Sequence, residues 1–247
     1  VSVTVPATPV GGAITATSTQ EGTVAGVYAV FGGQNIISTV TNIKAQGVKG
    51  DWVGGIVASS NSNNDVTMTG DLSAKASTSG DVYAVYGNNS TNKVEGTKNI
   101  SATTTSGTAY GIDAAGDSIN NVNEGKTEAM GSLTVVSENG AAAGIFADAI
   151  DGTAVNNVGG LTTMDVTSTA GDAYGVNARG GTSDTINAKN VVNLTGDITV
   201  EAKTSGSAYG VNADAYGNNT ITGTGATNLS VTSSEGEAIG FNADGKA

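Results

Sequence analysis

The chain of 247 residues contains no cysteine and no histidine. Without cysteine there is no disulfide, no thiolate nucleophile and no sulfur-ligated zinc. Without histidine, the commonest general base and the commonest metal-ligating side chain are both missing. Prolines number only 2, aromatics make up 4% and charged residues 13%, so too few large side chains are present for an ordinary globular core. Basic residues are scarce as well: 10 Lys and Arg face 22 Asp and Glu, for a net charge of −12. Nucleic acid and anionic membrane surfaces are therefore not expected as partners. No apolar run approaches the roughly 18 residues of a membrane span, so membrane insertion of this segment is not expected either. No signal peptide is visible, and the opening VSVTV reads as a mature or excised start.

What the chain does have is glycine, 37 residues of it, with Ser, Thr, Asn, Val and Ala filling most of the remainder. That mixture favours strands and tight turns over helices. One stretch recurs, as SGSAYGVNA from Ser205, SGTAYGIDA from Ser106 and AGDAYGVNA from Ala170. Looser copies are NGAAAGIFA from Asn139, EGEAIGFNA from Glu235, SGDVYAVYG from Ser79, EGTVAGVYA from Glu21 and, with one inserted residue, GDWVGGIVA from Gly50. Aligned on the central position they fall on Gly26, Gly55, Ala84, Gly111, Gly144, Gly175, Gly210 and Gly240, at spacings of 29, 29, 27, 33, 31, 35 and 30. A drifting period suits a β-solenoid, whose turns absorb insertions, and excludes a coiled coil, whose heptad does not.

A second column precedes each copy, with a large aliphatic, a mostly polar residue and then Ala or Val. Its pairs are Ile14/Ala16, Ile43/Ala45, Leu72/Ala74, Ile100/Ala102, Leu133/Val135, Met164/Val166, Ile198/Val200 and Leu229/Val231. This alternation predicts a strand with one buried face. A third column follows each copy after a turn and centres on Ile36, Val66, Val94, Ile119, Val155, Ile186 and Ile221. Three short strands in about 30 residues predict an all-β fold, a parallel β-helix (β-solenoid). About eight rungs at ~4.8 Å would make a rod roughly 40 Å long. Right-handed crossovers are the default, so a right-handed solenoid is expected. The chain reads as one domain over 1–247: residues 1–13 an N-terminal strand, cap or docking segment broken by Pro6 and Pro9, 14–243 the rungs, and 244–247 an uncapped end. Such an end exposes a strand edge, so either further chain or a docking partner is expected beyond Lys246 and Ala247.

Within the motif, period-two counting puts Tyr209, Val211 and Ala213 on one face and Ala208, Gly210 and Asn212 on the other. An aliphatic or Phe recurs at Val27, Ile56, Val85, Ile112, Ile145, Val176, Val211 and Phe241, so that face is expected inside. Tyr83, Tyr110, Tyr174 and Tyr209 would then pack at a corner of the core. The opposite face becomes an outward Ala/Gly strip. Its Gly111, Gly144, Gly175, Gly210 and Gly240, flanked by the apolar Tyr28, Val57, Tyr86 and Phe146, are expected to form a packing face for another solenoid or an extended strand.

The acidic residues give weaker signals. Asp51, Asp81 and Asp172 open the motif and Asp148, Asp214 and Asp244 close it, which fits Asp–Gly turns and, as the alternative, a calcium ladder. The calcium-binding repeat occurs only once, as GGTSDT at Gly180 to Thr185, so no cofactor is expected. Asp165 and Glu201 fall on neighbouring rungs, but the other acids scatter and Arg179 is the sole arginine, so no catalytic or metal residues and no enzymatic activity are expected. The outward column Lys44, Ser73, Ser101, Thr134, Asp165, Thr199 and Ser230 is interrupted by charge, which counts against an ice-binding threonine ladder.

From Ile14 to Ala243, the three-column rung, the G-x-A-Y-G-V-N-A motif, the Gly/Asn/Thr/Ser richness and the missing cysteine resemble the β-helical passenger regions of bacterial autotransporters and related secreted adhesins. The match is architectural, and no catalytic residue carries over; the membrane-barrel domain of that class is not in this chain. The resemblance implies a non-enzymatic, extracellular structural or adhesive protein of the bacterial cell surface. It would be a rod or filament-forming subunit that self-associates or meets surface glycans and host or neighbouring cells. A third arrangement pairs VSVTV with a neighbour's open rung. The alternative function is a carbohydrate-binding or polysaccharide-degrading β-helix.

Overall fold

The computed structural model describes residues 2–5, 12–125, 130–149, 152–181, 188–214, 217–223 and 228–244. Pro6, Pro9, Ile186, Lys246, Ala247 and all of GGTSDT after Gly181 lie outside the described residues. Within them the chain is all β, and its parallel strands stack into a β-solenoid of about seven complete turns. Each rung carries a leading strand, a motif strand and a return strand. Leading strands pair in parallel from Ile14–Thr17 to Leu229–Ser233. Motif strands pair from Val24–Ala29 to Ala238–Asp244. Return strands pair from Ser2–Val5, against Gln34–Val40, to Gly217–Gly223. Elements also merge: Ile43–Ser59 and Leu72–Asn88 run from leading into motif strand, and Ala154–Ala170 from return into leading strand.

The leading column is arranged as its alternation predicts. Ile43, Leu72, Ile100, Leu133, Met164 and Ile198 are buried in one continuous core with Ala45, Ala74, Ala102, Val135, Val166 and Val200. Ile14, Ala16, Leu229 and Val231 pack on it from the two ends. Small and β-branched residues suffice because each side chain rests on its own copy above and below.

The return column matches the expectation at Val66, Val94 and Ile221 and differs from it in register at Ile36, Ile119 and Val155. Its inward residues are Ile37, Val66, Val94, Val122, Val158, Val192 and Ile221, aligned rung to rung. Ile36 and Ile119 are instead exposed and Val155 half-buried. Two residues ahead of each inward aliphatic stands an asparagine: Asn35, Asn64, Asn92, Asn120, Asn156, Asn190 and Asn219. Each of the first six donates its Nδ2 to the Oδ1 of the next, at 2.8–3.0 Å. All seven also donate to a motif-strand carbonyl of their own rung, at 2.6–2.9 Å, from Tyr28 O at one end to Asn212 O at the other. One side chain thus ties two strands of a rung together and that rung to its neighbour.

A glycine stack fixes the corner between leading and motif strands. Gly80, Gly107, Gly140 and Gly171 lie one above another, and a Cβ on Gly107 or Gly171 would stand 2.6 or 2.7 Å from the carbonyl oxygen of the glycine before it. Nothing larger fits unless the rungs part. Buried hydroxyls serve those carbonyls: Thr104 donates to Gly80 O (3.0 Å), Ser137 to Gly107 O (2.8 Å) and Ser168 to Gly140 O (2.7 Å).

Two stability predictions arise. Asn156→Ala leaves Phe146 O, Asn190 Oδ1 and one Asn120 proton unpaired in the interior, and should lower unfolding stability by about 2–5 kcal/mol. Asn35→Ala, at the exposed end of the ladder, should cost under about 1 kcal/mol by the same denaturant titration; equal losses would contradict the ladder. Gly171→Ala should lower stability by about 1–3 kcal/mol, read as a fall in unfolding midpoint, and an unchanged midpoint would count against the stack.

Candidate functional site

The motif strand is two pieces that meet at its central glycine. Ala109 and Ile112 both belong to the core, although they are three residues apart and continuous alternation would place them on opposite faces. Pairing also steps over the glycine, from Tyr110↔Ala143 directly to Ile112↔Ile145. The phase therefore shifts at Gly111, where the backbone turns inward. A Cβ there would meet Leu133 Cδ1 at 2.7 Å, and one on Gly144 would meet Met164 Sδ at 2.8 Å. Ala84, at the same point, keeps its methyl in the core.

This overturns the expected outward strip. Gly111, Gly144, Gly175 and Gly210 are buried at the inner corner and Gly240 is half-buried, so none offers a smooth outer surface. Ala109, Ala142, Ala173 and Ala208 are likewise inside. The tyrosines move outward in exchange, half-buried on the surface, while Val211 and its equivalents from Val27 to Val176 stay inside as expected. Phe241, expected inside with them, is 75% exposed because it lies on the last described motif strand, with no further rung described to cover it. Ala114, Ala147 and Ala178 form a second apolar cluster with Ala149, Ala154 and Ala188. The flanking row is not uniformly exposed either. Tyr28 is 45% exposed, Tyr86 half-buried, and Val57 and Phe146 are buried at 1% and 9%. Tyr110 of the adjacent column covers Phe146.

Outside, the first column reads Ala25, Gly54, Tyr83, Tyr110, Ala143, Tyr174, Tyr209 and Ile239 in register. Tyr83 and Tyr110 stack with centroids 5.0 Å apart and planes within 2°, and Tyr174 and Tyr209 do so at 5.1 Å and 6°. From the second column, Tyr86 tilts onto Tyr83 (4.5 Å) and Phe146 lies on Tyr110 (5.7 Å). The stack breaks at Ala143. There a cleft of about 170 Å³ opens between Tyr110 with Phe146 and Tyr174, edged by Asn177 and Arg179. Arg179 Cζ stands 5.5 Å from the Phe146 ring centre, and the guanidinium is ion-paired with Asp148, Nε to Oδ1 at 3.2 Å.

Behind the cleft wall is Asp113, 5% exposed, aligned between Tyr86 and Phe146, with Oδ1 lacking any hydrogen-bond partner. Burial pushes its carboxyl well above the usual range; the Asp148 charge adds to this and Arg179 opposes it. Burial also raises the hydroxyl titrations of Tyr83, Tyr110 and Tyr174, reinforced by Asp113 for the first two and by Asp172 for the third. Tyr174 donates to Asp172 Oδ2 at 3.2 Å.

The other acids act at turns. Asp81 accepts the Thr108 N–H and Asp172 the Ser207 N–H, both at 2.8 Å, so each caps the turn of the following rung. Asp51 and Asp214 are exposed. Among the described residues no three acidic side chains converge as a cation site would require. Asp165 and Glu201 do face neighbouring rungs, opposite Thr199 and Thr167, with Glu201 3.7 Å from Lys203. The residues that matter most here, Asp113, Ala143 and the asparagine column, were not among the expected ones. Their signals were an N-x-[V/I] triplet seven times over and a single Ala between tyrosines in the aligned motif. No known protein family, curated protein or solved structure matches the chain.

Because the Asp113 carboxyl titrates above its unfolded value of about 3.8, the folded chain holds a proton that the unfolded chain releases. Its stabilising contribution is full below that value and is lost as pH rises through the folded one. Asp113→Asn should therefore gain stability over the parent in neutral and alkaline buffer, with little difference in strong acid. Denaturant midpoints across pH check this, and parallel curves for the two proteins would contradict it.

Proposed function

We propose that the chain is a non-enzymatic structural and adhesive rod of the bacterial cell surface, extracellular and self-associating, akin to the β-helical passenger stalks it resembles. The observation that carries this reading is that the inward residues of all three columns stay aligned rung to rung through the local bulges in the pairing, with the asparagine ladder running along the stack. A stack of this kind keeps a constant cross-section while its length grows, which is the mechanical requirement of a spacer. The −12 charge and a surface of Asn, Thr, Ser and Asp keep its sides solvated. Apolar side chains reach solvent in the N-terminal rungs, with Phe31 87%, Tyr28 45% and Ile36 37% exposed, and these supply a contact for a second copy in place of the buried glycines.

Negative-stain electron microscopy across a concentration series tests the proposal. Short rods at low concentration and paired or chained rods at high concentration are expected. Phe31→Ser combined with Tyr28→Ser should move pairing to higher concentration. Compact particles, or single rods throughout the series, would contradict the reading.

A further inference from the structure

We propose that the break in the tyrosine stack at Ala143 is a binding cleft for one neutral pyranose ring. The inference goes beyond the rod and does not depend on it. Two breaks interrupt the outer aromatic column next to Tyr83 and Tyr110, and they are treated differently. At Gly54 the indole of Trp52 closes the gap, its Cζ3 only 2.9 Å from where a Cβ would stand. At Ala143 no single ring closes it, although the alanine itself is only 4% exposed beneath its neighbours. Phe146 leans in from the second column but reaches only Tyr110, and Tyr174 stacks away from the gap, on Tyr209. The face of Tyr174 toward Ala143 has no aromatic partner among the described residues.

The dimensions and chemistry of that space select the occupant. About 170 Å³ is well below the ~300–1,000 Å³ of a site for a drug-sized ligand, and suits a single ring. Two aromatic walls favour a ring with apolar C–H faces, which covers them without stranding a polar group. The rim is polar. Thr108 lies along it, and Asn177, whose Oδ1 accepts from Asn212 at 2.9 Å, brings amide protons. Arg179 brings a guanidinium with five donors, two of which go to Asp148. A ring with apolar faces and a hydroxylated edge meets both demands, whereas a flat aromatic ring leaves the rim unused. Charge narrows the choice further: Asp148 and Asp172 border the cleft against Arg179 alone, which disfavours an acidic sugar, and Arg179 over Phe146 disfavours a cation.

Saturation-transfer NMR with methyl glucoside, methyl galactoside, methyl mannoside and N-acetylglucosamine tests the cleft, with glucuronic acid as the charged control. Transfer to at least one neutral sugar and none to glucuronic acid is expected. Ala143→Tyr restores the residue that Tyr110 and Tyr174 carry on the adjoining rungs, so it should stay folded and lose binding. Tyr174→Ala removes one wall from the outer surface and should weaken binding about tenfold with the fold intact, as monitored by thermal unfolding. Absence of transfer from every neutral sugar would overturn the proposal. So would preference for glucuronic acid, or binding that is unchanged in either folded variant.

Discussion

A buried asparagine amide has two protons to place, and in this solenoid the rung itself and its stacked neighbour each supply one partner. One goes to the asparagine of the next rung and the other to a motif-strand carbonyl of its own rung. In a low-dielectric interior an unpaired amide costs far more than a paired one contributes. The ladder therefore acts mainly as a constraint on register. A slip of one residue in a return strand would turn its asparagine outward and its polar neighbour inward, and would strand the carbonyl it served. Aliphatic stacking alone tolerates such slips much better, because Val on Val and Val on Ile are nearly equivalent.

The remaining features follow from holding the rungs in that register. Glycines at the leading corner can stack carbonyl to Cα only when successive corners superimpose, and Ser137 and Ser168 then find their acceptors. At the motif glycine the chain turns into the core, which sends Ile112 inside and leaves Tyr110 outside. Rings that recur at the same outer position are then brought within stacking distance, as Tyr83 on Tyr110 and Tyr174 on Tyr209. An interior made uniform by these ladders makes the outer surface a regular lattice. Departures from the repeat, such as Ala143 and Asp113, become local sites within it.

How much of this could be read from the residues depended on whether strict alternation held. In the leading strands it does, and Leu72 with Ala74 or Leu133 with Val135 were identifiable as inward pairs. In the motif strand it fails at one glycine, so counting through Gly210 placed Tyr209 inside and the glycines outside. Nothing in the alternation marks a corner, although a glycine repeated at one point in a strand is the kind of residue a sharp bend uses. In the return strands the error had a different origin. Asparagine is common in turns and gives no signal of burial, so the residue pattern centres the strand on Ile36, Ile119 and Val155 where the structure turns Ile37, Val122 and Val158 inward. The cleft was the least legible feature, because it is defined by a ring that is missing from one rung and by another, Phe146, that leans across columns.

Hydrogen exchange of asparagine side-chain amides, resolved by NMR, tests the central claim most directly. If the ladder couples the rungs, the Nδ2 protons of Asn64, Asn92, Asn120, Asn156 and Asn190 should exchange as slowly as the backbone amides of the core strands. The Nδ2 protons of Asn61 and Asn193, both exposed, should exchange far faster. Equal, rapid exchange at all these positions would mean that the amides are not locked between rungs, and the account of the register would fail.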